Sequence, residues 1–236
     1  MIKIQSLASS SAGNAYHITD GRFPLLLECG IPWKRIQQGL NYETSSIGAC
    51  LVSHSHNDHA GHIKEVLKAG INCYMSRETA QAKDVEGHHR VKIIEPEKQF
   101  MVSTWDILPF PTQHDCEGSL GFLMANQAGD KLLFLTDSFY CRYTFKGLSH
   151  IMLEINYAID ILRENVRNGT VPVPMKNRIL QSHFSLENAK KFLQANDLSR
   201  VQEIHLIHLS DDNSDADRFK REIQALTGKM VIVADS

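Results

Sequence analysis

Residues 54–59 read His-Ser-His-Asn-Asp-His, placing three imidazoles and a carboxylate within six positions. Before them, Ala49-Cys50-Leu51-Val52 has the apolar run of a short buried strand; after them, Gly61 to Leu67 reads as the opening of a helix. A strand that ends in such a loop throws several side chains into one small volume. Crowded there without a cation, these Lewis bases would compete for few donors. Neutral imidazole and carboxylate are ligands that borderline cations such as zinc or manganese accept. The stretch therefore points to a metal site, and the chain must fold so that a strand end delivers it.

The rest of the chain sets bounds. Its 236 residues, 42% of them hydrophobic, suit one domain over 1–236 with a substantial core. Formal net charge is −2, with both signs mixed throughout and no polybasic arm, so a nucleic-acid partner has to be held by local charge. Met1 to Leu7 alternates like a strand and lacks the apolar run of a signal peptide, and no stretch approaches the roughly 20 apolar residues that span a bilayer. Cys29, Cys50, Cys73, Cys116 and Cys141 are scattered and odd in number, which predicts buried free thiols and a reducing, cytoplasmic setting. The oligomeric state is not legible.

Strand patterns are expected at Ile2–Leu7, Ala15–Thr19, Pro24–Glu28, 72–75, 91–94, 99–102, 106–109, 121–126, 131–135, 151–154, 203–209 and 230–233. Helical patterns are expected at 31–40, 59–69, 77–83, 159–168, 186–195 (capped by Ser185) and 215–226. Ser9 to Asn14 reads as a small-residue turn, and the prolines of Thr170–Pro174 predict an extended linker. Strands and helices alternate in both halves, which predicts an α+β fold: one αββα sandwich, two sheets face to face with helices outside.

Further ligands are then expected at strand ends. His114 follows Phe110-Pro111-Thr112-Gln113, Asp137 follows the apolar run 132–135, and His208 follows Ile204-His205-Leu206-Ile207.

These residues, in this order, resemble the metal motifs of the metallo-β-lactamase superfamily, and the resemblance spans essentially the whole chain. It implies metals at one edge of the sandwich, where loops from both sheets meet. His54, His56 and His114 would hold one cation, Asp58, His59 and His208 the second, and Asp137 would bridge them. Zinc is expected, with manganese or iron as alternatives. Two divalent cations, two carboxylates and a bridging hydroxide acting as nucleophile leave about one net positive charge, which suits an anionic phosphodiester.

Three further segments narrow the branch. Ser6-Leu7-Ala8-Ser9-Ser10-Ser11-Ala12-Gly13-Asn14 resembles the opening of phosphodiesterase-like members, especially the YycJ (WalJ) group. Gln181 to Ala189 and His208-Leu209-Ser210-Asp211-Asp212-Asn213 resemble other segments of that group. The former is also similar to the histidine segment of the tRNA 3′-processing endonucleases, which implies that His183 protonates the leaving oxygen. Asp58 and His183 are thus the catalytic candidates, and Ser10, Asn14, Asn156, Tyr157 and Ser185 the candidate substrate contacts. Glu28 departs from the aspartate common in the family, and Tyr157 from a histidine; the tyrosine could stack a base or donate through its hydroxyl. Lys146, Lys176 and Arg178 could line a nucleic-acid path. The remaining histidines (17, 62, 88, 89, 150 and 205) read as surface or core. The resemblance implies a dinuclear hydrolase of phosphodiester bonds, in DNA or RNA, of exonuclease type. The alternatives are a cyclic-nucleotide phosphodiesterase, a thioester or lactone hydrolase, and a non-catalytic metal-bound nucleic-acid-binding module.

Overall fold

The computed structural model describes residues 1–234, which form two compact units: Met1–Pro111 with Cys116–Asp130, and Thr112–Asp115 with Lys131–Ala234. The first unit begins with β1 (Lys3–Ser10) and β2 (Gly13–Thr19), an antiparallel pair whose register shifts between Ser6 and Ala8. The expected turn at Ser9–Asn14 is therefore mostly strand, tightened to a two-residue connection at Ser11 and Ala12. β3 (Leu25–Leu27) returns antiparallel to β2. Then β4 (Ala49–Leu51), β5 (Asn72–Met75) and β6 (Val91–Ile93) add in parallel, giving a six-stranded sheet in chain order. Its crossovers carry α1 (Trp33–Gly39), α2 (Asn57–Ala60), α3 (Ile63–Lys68) and α4 (Arg77–Ala82). Leu26, Cys50 and Cys73 on the strands pack with Ile36, Ile63, Val66 and Ala80 on the helices in one apolar core. An antiparallel meander of β7 (Phe100–Val102), β8 (Trp105–Pro111) and β9 (Leu120–Asn126) completes the unit.

The helix expected over 59–69 is interrupted. His62 sends its amide to the Cys29 carbonyl at 3.0 Å instead of up the helical ladder, which separates α2 from α3.

The second unit is a parallel sheet of β10 (Lys131–Leu135), β11 (His150–Glu154), β12 (Glu203–Ile207) and β13 (Met230–Val233). Its crossovers hold α5 (Ile159–Arg167), α6 (Val173–Ser182), α7 (Leu186–Ala195) and α8 (Ala216–Thr227). α6 corrects the expected linker at Thr170–Pro174. Pro172 is its N-cap and Pro174 lies in its first turn, where backbone amides have no intrahelical acceptor and a proline gives up nothing. Ser185 and Asp215 cap α7 and α8 by accepting from the Asn188 and Arg218 amides. Cys29, Cys50 and Cys73 are buried thiols as expected, whereas Cys116 and Cys141 are half-buried. No helix among the described residues is long and apolar enough to cross a membrane.

Candidate metal centre

In the first unit the chain leaves β4 through Val52 and Ser53 into the histidine loop, and α2 starts immediately after His56. His54 is buried, with Nδ1 2.9 Å from the Ser53 hydroxyl; its Nε2 lies 3.1 Å from His56 Nδ1. One turn on, His59 Nε2 is 3.2 Å from Asp58 Oδ2. On the other side of that ring, Nδ1 lies 3.5 Å from Oε2 of Glu28, a carboxyl buried to 0% exposure. Burial is the largest influence on Glu28 and pushes its pKa up, while His59 and the Ser53 amide, which donates at 3.1 Å, pull it down. A carboxyl on the far nitrogen of a ligand-type imidazole fixes the ring's orientation and raises its basicity. The glutamate that departs from the family's aspartate thus has a defined contact.

Asn14 ties this group to the β1–β2 hairpin. Its amide nitrogen donates to the Ser10 carbonyl at 3.0 Å and to the Asp58 carbonyl at 3.2 Å, and lies 3.3 Å from His59 Nε2. Tyr16 donates to the Asn14 side-chain oxygen at 3.0 Å. The Ser10 hydroxyl accepts from the Ala12 amide at 3.2 Å, a turn contact.

In the second unit His114, Asp137 and His208 come together. Asp137, two residues beyond β10, is 2% exposed, and its two oxygens face different rings: Oδ2 is 3.5 Å from His114 Nε2 and Oδ1 is 3.5 Å from His208 Nε2. Each ring is held at its other nitrogen. His114 Nδ1 lies 3.0 Å from the Ser182 carbonyl, and His208 Nδ1 lies 3.1 Å from the Asn156 amide. Asn156 also donates to the His208 carbonyl at 3.0 Å, so its contact is with the ligand-type histidine.

His183 follows α6 and is partly exposed, with Nδ1 2.6 Å from Glu154 Oε1. Glu154 is the last residue of β11 and fully buried; its Oε2 accepts from the Ser138 amide at 3.1 Å and the Phe184 amide at 3.4 Å. Ligand-type atoms of Asp137, Glu154, His183 and His208 all lie within 4.8 Å of one another. Glu154 is the site residue that sequence reasoning misses. Its signal is the same as that of Asp137, an apolar strand ending in an acid.

Two of the candidate substrate contacts lie inside the protein. Tyr157 is 2% exposed and packs with Leu162 and Val171; burial, then Glu187 and Glu154, raise its hydroxyl to about 12. It therefore offers no face to a base. Ser185 is fully buried and its hydroxyl is used as the α7 cap. Of the candidate cations, Arg178 on α6 is paired with Asp115 at 2.8 Å.

The donor chemistry fits divalent cations. The first unit presents His54, His56, Asp58 and His59, and the second presents His114, Asp137 and His208. Imidazole nitrogens and carboxylate oxygens clustered at 3.1–3.5 Å, mostly buried, are the donors a divalent cation accepts, and its charge would offset the burial of the carboxylates.

Comparison with known proteins agrees with this chemistry. A family model described as the beta-lactamase superfamily domain matches residues 26–209. An exodeoxyribonuclease WalJ of Streptococcus pneumoniae is 26% identical over 228 residues, covering 90% of this chain and 83% of that one. The metallo-β-lactamase fold protein YhfI of Bacillus subtilis superposes with a TM-score of 0.75 at 16% identity, covering 100% of this chain and 97% of that one. Human short-form tRNase Z superposes at 0.62 with 15% identity, covering 100% and 97%. The expected α+β sandwich of two mixed sheets with flanking helices is the fold of these neighbours. The chain belongs to the beta-lactamase superfamily, as a metal-dependent hydrolase with the metallo-β-lactamase fold.

Proposed function

We propose that the protein hydrolyses phosphodiester bonds of nucleic acid, DNA foremost, in exonuclease fashion. In this reading His54, His56, Asp58, His59, His114, Asp137 and His208 would hold two divalent cations. Zinc suits the donor set, and manganese or iron would also be accepted. When bound, such a pair of cations supplies an activated water and neutralises charge that develops on the phosphate oxygens.

The chain's own residues do the rest. Asp58 orients the incoming water by accepting its hydrogen bond. His183 stands partly exposed, with Nδ1 held against the buried Glu154 carboxylate, which leaves Nε2 to deliver a proton to the departing alkoxide. Glu154 keeps the ring in that tautomer and balances its positive charge. Asn156 holds His208, and Glu28 holds His59, so that neither ring rotates away. Asn14 anchors the Asp58 turn.

The observation that carries this reading is the His183–Glu154 pair at 2.6 Å, because a purely structural metal site needs no oriented proton donor beside it. The exodeoxyribonuclease relative supports DNA as the substrate. The test combines elemental analysis of the purified protein with cleavage of end-labelled single-stranded oligonucleotides and of a cyclic nucleotide. Stepwise shortening of the labelled strand is expected, abolished in Asp58→Asn and strongly reduced in His183→Ala. Turnover of the cyclic nucleotide alone, or full cleavage by Asp58→Asn, rejects it.

A further inference from the structure

The loop that follows Asp137 carries features the proposed chemistry does not use. Phe139 is 37% and Tyr140 is 56% exposed, side by side, in a protein whose other aromatic rings are mostly buried or half-buried. Two adjacent exposed rings make a contiguous apolar patch, the kind of surface that can serve as an interaction site. Their backbone is not loose. The Phe139 amide donates to the Gln113 carbonyl at 3.1 Å, and its carbonyl accepts from the Asn188 side chain at 3.1 Å. The Tyr140 carbonyl accepts from the Ser138 hydroxyl at 2.7 Å, and the Ser138 amide is itself fixed on Glu154. The rings are thus presented to solvent on a rigid support. Phe139 lies two residues from Asp137, at most about 7 Å of chain.

Two exposed cations follow within six residues of Tyr140 in the chain. Arg142 is exposed and sits 5.0 Å over the Tyr143 ring, with a 2.8 Å hydrogen bond to that hydroxyl, so the guanidinium is held in place. Lys146 is exposed a few residues on. With a net charge of only −2, the chain has no global basic field, and local cations have to do the holding.

We propose that Phe139 and Tyr140, backed by Arg142 and Lys146, form a stacking platform for the unpaired bases of a single-stranded nucleic acid whose scissile phosphate lies at the Asp137 strand exit. The proposal rests on the phosphodiester reading above and adds its substrate form: unpaired strand. Aromatic faces accept any base, and the cations follow the backbone, so binding is tolerant of sequence and sensitive to salt. A duplex, whose bases are already stacked on one another, gains nothing from these rings.

Equilibrium binding tests this without any turnover. Fluorescence anisotropy would be measured on the full chain as purified, with labelled cleavage-resistant phosphorothioate oligothymidylate, oligouridylate, an abasic strand of equal length and a blunt duplex. Tyr140→Ala is expected to weaken binding of the oligothymidylate or oligouridylate about fivefold or more, and Phe139→Ala/Tyr140→Ala further. Tyr140→Phe should bind like the wild type, and the abasic strand should bind the wild type as weakly as the normal strand binds the double variant. The two homopolymers distinguish DNA from RNA as the source of the strand. Tyr140 is more than half exposed, so the melting temperature of Tyr140→Ala should hardly move, and its loss of affinity cannot then be laid to unfolding. Unchanged affinity in the double variant, an equal loss on the abasic strand, or a wild type that binds neither homopolymer overturns the platform. Hydrolysis of methyl p-nitrophenyl phosphate by metal-loaded wild type is measured separately. Its absence would end the phosphodiester reading and leave the platform to be judged on affinity alone.

Discussion

Glu154→Gln separates positioning of a proton donor from simple packing. The carboxylate is fully buried and takes three donors: His183 Nδ1 at 2.6 Å on Oε1, and the Ser138 and Phe184 amides at 3.1 and 3.4 Å on Oε2. Glutamine has the same shape but only one oxygen. Turned toward His183, it would set its NH2 against two buried amides and leave them unpaired, at about 1–3 kcal/mol each. Turned toward the amides, it sets its NH2 against Nδ1, and the imidazole must present a lone pair there. The second arrangement costs less and is expected. A charge-assisted bond of about 1.5–3 kcal/mol is exchanged for a neutral one of about 0.5–1.5, so stability falls by about 1–1.5 kcal/mol. The larger effect is on rate. His183 loses the charge that balances it and the tautomer that aims its proton, and oriented acid–base catalysis is worth about 10²–10⁴-fold. The assay compares a dinucleotide, whose alkoxide leaving group needs a proton, with an aryl phosphodiester, whose phenolate leaves without one. On the dinucleotide kcat should fall by about 10²–10⁴-fold with KM little changed, while the aryl ester is nearly unaffected. Equal losses on both substrates, or a dinucleotide loss below about threefold, refute the role assigned to Glu154 and with it that of His183.

Gly30→Ala would bring a Cβ to 1.7 Å from the Asp58 carbonyl oxygen and 2.8 Å from the Asn14 amide; neither backbone can yield, so about 1–3 kcal/mol of stability and part of the bound metal should be lost, read by urea unfolding and elemental analysis. Tyr157→Phe should leave KM for an oligonucleotide unchanged and stability within about 1.5 kcal/mol, whereas Tyr157→Ala should cost about 3–5 kcal/mol, as for any large buried ring. Lys190 and Arg218 hold Glu222 below its ordinary value of 4.5, so its stabilisation is present above that value and lost as pH falls through the lower folded value. With a third of its side chain exposed, Glu222→Gln should cost less than about 1 kcal/mol near neutrality, and the gap to wild type should close in acid; a gap that widens in acid contradicts this.

The histidine loop and the strand-end positions are legible in the sequence because they are unusual: three imidazoles crowded into six residues serve little purpose apart from holding a cation. Several regular elements are equally plain, and Lys131–Leu135, Leu186–Ala195 and Met230–Val233 run as their patterns predict. What escapes depends on contacts distant in sequence. The break between α2 and α3 is made by the Cys29 carbonyl, which no local pattern announces. Pro172 and Pro174 read as helix breakers, yet they stand at the start of α6, where they begin a helix. Glu154 reads as the polar end of an apolar strand, and nothing in sequence says that His183, 29 positions on, lies against it. Tyr157 reads as a substituted contact residue because its neighbours match a motif, although its own burial is decided by Leu162 and Val171.

One backbone device recurs where these side chains are delivered. Glu28, Asp137 and His208 have φ of 65°, 43° and 54°, the left-handed region that residues other than glycine rarely enter. Each lies just beyond an apolar strand, β3, β10 and β12 respectively. A strand that simply ran on would alternate its side chains between the two faces of the sheet. A left-handed residue ends that alternation at once and turns the chain sideways at the sheet's end, where a polar side chain can reach partners other than the core. Each such residue costs about 1–3 kcal/mol in strain and persists only where its surroundings over-determine it. Here they do: the Glu28 amide donates to the Leu51 carbonyl at 2.9 Å, Asp137 lies between two rings, and the His208 carbonyl is held by Asn156. Glycine at these positions would relieve the strain and remove the functional group with it. Asn41, Tyr42, Asp84, Glu97 and Ser103 are left-handed as well, so the conformation by itself marks no site; at these three strand ends it aims side chains that the proposed chemistry uses.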